Sequence, residues 1–485
     1  MLAMIVLAIQ PVTDPDFWWH LTTGNWIVTH HAVPSHDLYT YTVTDHRWIT
    51  HEWLSEVLLA VLFSLGRLPL VSLALGLVTM AGFVLVFYAI DRRVNFVIAG
   101  LSLALGVGLA NPIWGPRIQM ITFTLAALTL LWIKRFIEGR SRALYALPLV
   151  VLVWANLHAG FLIVWVFLGL ALVTELIKHL FRRPDAVPTP RLKAMALILV
   201  ASVAVAVVNP NGWEIYSYAL QTQGSAIQQK LIVEWFAPDF QRPELYLFAA
   251  SIFLLLGLLA LARRIELRQF LFLLLGLALA LHSVRHLTFY MMVAVPAIAD
   301  YGQQAWERLR PMRWRASQLP SNGLTLAVNS VIVAAVALTM LVAVAPSLTQ
   351  RVDGKLVRRD FPVAAADMLA AHPAPGHMLN VYGWGGYLIY RLHSVTPAQP
   401  VFIFGDAALT GDRVLQDYAH LQYLNPDQAQ LLDHYQVNWI IFHKDDAIVT
   451  ELSQNPAWFR LGTFGDAAIL MRNTPANHHY ASTIR

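Results

Sequence analysis

Ten apolar runs follow one another along this chain, at 69–90, 94–110, 118–133, 143–157, 160–177, 194–208, 245–262, 267–282, 287–303 and 324–345. Each is close to the ~20 residues that a helix needs to cross a bilayer. A chain that repeats such runs, with short polar loops between them, can satisfy its backbone in lipid only by folding as helices. Composition agrees. Charged residues make up 13% of the chain and hydrophobic ones 57%, against about 25% charged in soluble domains. The expected fold is therefore mainly α, a polytopic bundle of transmembrane helices.

The opening MLAMIVLAIQPV is apolar but only 12 residues long, and it has neither a basic start nor a clear cleavage site. It reads as the outer half of a truncated first helix, which brings the expected count to about 11 spans. The segment HEWLSEVLLAVLFSLG (51–66) is different: its polar residues His51, Glu52, Ser55 and Glu56 recur at helical spacing. It reads as a helix lying on the membrane surface, with Glu56 facing water.

Lys and Arg fix the sidedness. The loops 91–93, 134–142, 178–193, 263–268 and 308–315 hold 18 of them, and the alternate set (13–67, 111–117, 155–160, 209–244 and 282–286) holds 6. The first set is expected to be cytoplasmic. The net charge of +5 is thus accounted for by loops beside apolar runs, and no nucleic-acid partner is implied. There is no cysteine, hence no disulfide and no thiolate metal site.

After the last run the composition turns mixed. HMLNVYGW, PVFIFGD, VNWIIFH and DAAILMR read as short strands, with helices at 362–371 and 426–436 between them. Residues 1–345 are expected to form the transmembrane domain, including a first outer loop at 13–67. Residues 346–485 are expected to form a small extracytoplasmic α/β domain.

The sidedness gathers the unusual polar motifs on one face. The first outer loop supplies Asp14, Asp16, Trp18, Trp19 and His20, followed by His51 and Glu52. NPIWGPRIQ supplies Arg117 and Gln119, WANLHAG supplies His158, and the later loops supply Glu234 and Arg285. A carboxylate at such a rim suits general-base work on a hydroxyl. Arginines suit a phosphate leaving group, and indoles stack on sugars. Each residue also has a plainer role: Trp18 and Trp19 as an interfacial belt, Asp14 or Asp16 as a helix cap, Arg117 and Arg285 as snorkelling cations. No HExxH or comparable metal-ligand spacing accompanies the histidines.

The stretches DPDFWWHLTTGNWI, HEWLSEVLL, WANLHAGF and NVYGWGGYLIYRL resemble those of a bacterial group related to the protein mannosyltransferases (glycosyltransferase family 39-like). That group lies within the GT-C superfamily of integral-membrane glycosyltransferases. The resemblance covers nearly the whole chain. It implies a GT-C-like fold and sugar transfer from a polyprenyl-phosphate donor to an envelope glycan, lipid or protein acceptor. It also implies a multi-pass protein of the cytoplasmic membrane that needs no cofactor beyond its donor substrate.

The superfamily's acidic loop motif falls on Asp14 and Asp16, with Asp16 the first choice for catalytic base and Glu52 next. Arg117 and Arg285 match donor-phosphate binding. Trp18, Trp19, His20, His51, Gln119, His158 and Glu234 complete the expected substrate-binding set. Metal-dependent oligosaccharyltransferases carry a further acidic motif on the second outer loop, whereas NPIWGPRIQ has no carboxylate. That departure implies metal-independent transfer. Two other classes remain open: a non-catalytic lipid-linked-sugar carrier or flippase, and an envelope-assembly scaffold.

Overall fold

The structure is a computed structural model. It describes residues 9–309 apart from 45 and 112, scattered positions between 327 and 345, and 349–484. The expected first helix and the span at 324–345 fall largely outside the described residues. The chain divides into two compact units.

The first unit comprises 72–209 and 233–348 with the N-terminal residues, and its described part is helical. Helices Phe96–Ala110, Gln119–Ile137, Leu147–Leu157, Ile163–Leu180, Thr189–Val205, Tyr246–Leu261, Leu267–His282 and Leu287–Leu309 coincide with the apolar runs. Among the described residues, four segments are long and apolar enough to cross a membrane: Trp53–Ala89, Gln119–Ile137, Ala159–Leu180 and Pro243–Leu261. Phe96–Ala110, Ala143–Leu157 and Leu267–His282 are shorter apolar helices.

One core shows how the pattern becomes packing. Leu287, Tyr290, Ala294, Ala297, Ile298 and Tyr301 lie three or four residues apart on one face of their helix. They pack with Leu109, Phe248, Leu255 and Leu273, as the 3.6-residue period requires. Tyr290 reaches the Ser251 hydroxyl at 2.9 Å, so its phenol is not orphaned. The opposite faces carry Phe96, Phe253 and Leu180, each more than 70% exposed. Apolar surface on this scale is covered by lipid, and the chain is a membrane protein.

The second unit gathers three separated stretches: 11–71, 210–232 and 349–485. The expected boundary at 345/346 follows chain order, whereas this unit brings the first polar loop together with the C-terminal region. Its sheet has four strands in the order β1 (His377–Asn380), β2 (Val437–His443), β4 (Ala467–Arg472), β3 (Trp458–Phe464). β1 pairs with β2 in parallel and the other pairs are antiparallel. β2 and β4 are almost wholly buried, which explains their continuous apolar sequences.

PVFIFGD, expected as a strand, stays outside this sheet. Its Val401 N–H donates to the Tyr39 carbonyl at 3.0 Å and forms a bridge beside Thr40. The buried Asn380 fixes the same stretch, accepting from Phe402 N at 2.9 Å and donating to Ile403 O at 2.9 Å. Strand β3 was not anticipated. Its register slips between Arg460 and Gly462, which breaks the alternation that marks a strand.

The segment expected to lie on the surface begins the helix Trp53–Ala89, which is interrupted at Gly66 and Arg67. Arg67 has φ +56° and ψ −157°, a region essentially reserved for glycine that costs a side-chain-bearing residue about 1–3 kcal/mol. That break separates the amphipathic turns before residue 66 from the apolar run after it.

Candidate active site

The helix Phe17–His30 presents His20, Gly24 and Ile27 at i, i+4 and i+7, all buried. This face lies on the first turns of the helix that starts at Trp53. The approach is so close that a β-carbon on Gly24 would fall 2.0 Å from the Glu56 carbonyl oxygen. Glycine at 24 is what brings His20 down onto the carboxylates below it.

Four side chains then form a buried line. His51 Nε2 lies 3.1 Å from Glu52 Oε1, Glu52 Oε2 lies 3.3 Å from His20 Nε2, and His20 Nδ1 lies 3.1 Å from Glu56 Oε1. Glu56 is fully buried and its second oxygen, Oε2, has no hydrogen-bond partner among the described residues. The expectation that Glu56 faces water is corrected: the polar face of its helix is turned inward. Burial alone would lower the His20 pKa, but the charges of Glu52 and Glu56 outweigh it and raise it from 6.5 to about 9. For His51, burial is likewise outweighed by Glu52, so its pKa is also raised. Imidazolium is therefore the stable form of the His20 ring at neutral pH.

Asp14 and Asp16 lie at the start of the same helix. Asp16 occupies the capping position without making a side-chain cap, and its Oδ1 accepts the Trp19 indole N–H at 3.2 Å. It remains half-buried, whereas Asp14 is buried and accepts the Asp16 backbone N–H at 3.2 Å. The loop at 404–406 lies against Asp16: a β-carbon on Gly405 would fall 1.6 Å from Asp16 Oδ1.

Trp18 and Trp19 are both buried. Trp19 lies against His20, with ring centroids 3.6 Å apart and planes tilted by 34°, and meets Phe404 edge-on at 5.4 Å. Trp18 packs against Phe361, Tyr387 and Tyr390. The second unit thus brings together Asp14, Asp16, Trp18, Trp19, His20, His51 and Glu52.

The remaining expected residues belong to the first unit. Arg117 forms an ion pair with Glu234, and the Arg285 guanidinium stacks over Trp235 at 5.0 Å. Two hydrogen bonds lace the segments together, Ser283 Oγ to Glu234 O at 2.8 Å and Val284 N to Phe236 O at 3.0 Å. Burial would raise the Glu234 pKa, but Arg117 and Arg285 hold it below the usual carboxylate range. Gln119 Oε1 is buried with no hydrogen-bond partner among the described residues. His158 is spent locally, with Nδ1 3.0 Å from Thr122 Oγ1 and 2.8 Å from Gly160 N.

Two contributors were not anticipated as site residues. Glu56 ends the line of histidines and glutamates, and its spacing from Glu52 was the signal. Asp406 is buried, takes the Trp48 indole N–H at 2.9 Å and caps the helix Ala407–Gln422 through Leu409 N at 3.0 Å. It thereby fixes the loop that lies against Asp16. The carboxylates of Glu52 and Glu56 are turned to imidazoles along a line and do not converge on a point. Among the described residues, no group of three or more His, Asp or Glu side chains is arranged to hold a metal ion.

No family model and no curated protein match the chain. Solved structures do. The oligosaccharyltransferase of Archaeoglobus fulgidus in its apo form is similar at a TM-score of 0.54 and 10% identity, over 91% of this chain and 68% of that one. The archaeal oligosaccharyltransferase AglB from the same organism, in complex with an inhibitory peptide and a dolichol-phosphate, is similar at a TM-score of 0.52 and 10% identity. That match covers 98% of this chain and 74% of the other. At this identity the likeness is one of fold. The chain is a membrane protein with a GT-C-like fold.

Proposed function

We propose that this protein is a glycosyltransferase of the cytoplasmic membrane that moves one sugar from a polyprenyl-phosphate donor to a glycan, lipid or protein acceptor on the outer face. The carrying observation is the GT-C-like fold combined with a half-buried aspartate, Asp16, oriented by the Trp19 indole at 3.2 Å. The neighbouring fold's complex with a dolichol-phosphate supports a lipid-linked donor.

In this reading Asp16 takes the proton of the acceptor hydroxyl as its oxygen bonds to the anomeric carbon. The bond from that carbon to the phosphate oxygen breaks, and the lipid phosphate leaves with the electron pair. A departing phosphate needs cationic hydrogen-bond donors, a role that the resemblance assigns to Arg117 and Arg285 of the first unit. Asp14 and Glu52 are the other two candidate bases. Asp14 is buried and Glu52 is held between two imidazoles, which favours Asp16.

The test is sugar transfer by the full chain in nanodiscs, using a panel of radiolabelled polyprenyl-phosphate sugars and envelope extract as acceptor. One donor should be consumed, and Asp16→Asn should slow transfer by about 10²–10⁴-fold while leaving the unfolding temperature unchanged. Asp14→Asn and Glu52→Gln are run beside it. If no donor is consumed and all the proteins behave alike, the scaffold reading replaces this one. A donor bound without turnover identifies a carrier.

A further inference from the structure

One cavity of the second unit, about 280 Å³ in volume, shares only Trp18 with the residues expected to bind the sugar-transfer substrates. Four aromatic side chains line it: Trp18, Phe63, Tyr387 and Tyr390. Trp18, Phe63 and Tyr387 are buried, and the Trp18 and Tyr390 rings lie 4.8 Å apart. Three arginines also line it: Arg67, Arg358 and Arg391.

Their charge is poorly compensated. Arg391 forms an ion pair with Asp367 at 2.7 Å. Among the described residues no carboxylate pairs with Arg67 or Arg358, both of which are exposed, and the Arg67 guanidinium rests over the Phe63 ring at 4.4 Å. An aromatic floor with an excess of guanidinium groups suits a ligand that is apolar at one end and anionic at the other.

Two further observations narrow the ligand. The lining includes Leu68 and Pro69, the first residues after the break in a helix long and apolar enough to cross a membrane. The cavity therefore opens where an apolar span begins, the depth at which lipid headgroups lie. In addition, Arg67 is held at φ +56°, where glycine is the unstrained choice. A strained backbone bearing a charged side chain into a cavity is the kind of feature that marks ligand sites.

We propose that this cavity binds the phosphate headgroup of an anionic amphiphile, with Arg67 and Arg358 as the anion's main partners and the Trp18–Tyr390 wall against its apolar portion. The volume fits a glycerophosphate-sized headgroup, since pockets for larger ligands run about 300–1,000 Å³. The phosphate-ester chemistry is common to a bilayer lipid and a soluble phosphate ester, and the test separates the two. Binding at this cavity is independent of sugar transfer.

The experiment titrates full-length protein in neutral detergent with dioleoyl phosphatidylglycerol, dioleoyl phosphatidylcholine or glycerol 3-phosphate, and reads retained ligand by native mass spectrometry. Phosphatidylglycerol should be retained in preference to phosphatidylcholine. Arg67→Gly and Arg358→Gln should each weaken that retention by about fivefold, at roughly 1 kcal/mol per arginine. Arg67→Gly also relieves the backbone, so its ligand-free unfolding temperature should not fall, which separates lost binding from lost fold. Competition by glycerol 3-phosphate at the same arginines supports the phosphate site and assigns its source to a soluble ester. Equal retention of the two lipids, or an undiminished preference in both variants, overturns the proposal.

Discussion

His20 and Glu56 stand 36 residues apart in sequence and meet in the buried interior, Nδ1 3.1 Å from Oε1. Glu52 approaches the ring's other nitrogen, with 3.3 Å between Oε2 and Nε2. An imidazolium between two carboxylates satisfies charges that would each be costly to bury alone.

This arrangement makes stability depend on pH with a defined sign. The His20 pKa is raised in the folded state, from 6.5 to about 9, so the folded protein holds a proton that the unfolded chain releases. The contribution is complete below pH 6.5, declines above it and is lost as the pH rises through about 9. His51 acts in the same direction. The unfolding temperature in detergent should fall between pH 7 and pH 10, and His20→Gln should flatten that fall. A wild-type profile that stays level across this range would remove the charged pairing.

Gly24 permits the contact. The nearest atom to a β-carbon there is a backbone carbonyl at 2.0 Å, which cannot swing aside as a flexible side chain does. Gly24→Ala should cost about 1–3 kcal/mol through overpacking, seen as a lowered unfolding temperature. The His20 pH dependence should weaken with it, because the two helices are pushed apart. An alanine variant as stable as wild type, with its pH profile intact, would contradict the packing described.

Much of this assembly is local pattern, and local pattern was readable. Among the described residues the apolar runs became helices at nearly the expected positions, because a 3.6-residue period and a length near 20 residues are properties of a short window. The spacing of His51, Glu52, Ser55 and Glu56 likewise announced a helix with one polar face. What that face meets depends on Gly24 and His20, some thirty residues earlier, and the reading sent Glu56 to water. PVFIFGD carries the composition of a strand, but Asn380 and Tyr39 take its hydrogen bonds, and neither choice is visible within the run. Asp406 caps the helix that follows it, and its second role under Trp48 rests on a contact across 358 residues.

The Arg117–Glu234 pair gives a prediction with opposite signs for its two members. If Arg117 binds the donor phosphate, Glu234 competes with that phosphate for the guanidinium. Glu234→Gln should therefore lower the KM for donor, and Arg117→Gln should raise it. Both residues are partly exposed, at 29% and 40% of their side chains, so both effects should shrink at high salt. Donor titrations at low and high ionic strength check the pattern. Two changes of the same sign would take Arg117 out of the donor site.

Asn380 links β1 to the stretch that ends against Asp16. Its amide is buried and makes four hydrogen bonds: from Phe402 N and Ile403 N to Oδ1, and from Nδ2 to Val381 O and Ile403 O. Asn380→Leu keeps the approximate volume and orphans those backbone groups, each at about 1–3 kcal/mol where water cannot reach. Ile403 and Phe404 directly precede Gly405, whose α-carbon leaves no room for a side chain beside Asp16. Slack at 402–403 should therefore reach the Asp16 carboxylate. Asn380→Leu is expected to lower both the unfolding temperature and the transfer rate. Asn380→Asp retains the acceptor for Phe402 and Ile403 while losing two donors, and should fall between Asn380→Leu and wild type on both measures. A leucine variant that loses stability but transfers sugar at the wild-type rate would show that the 402–405 stretch does not position Asp16.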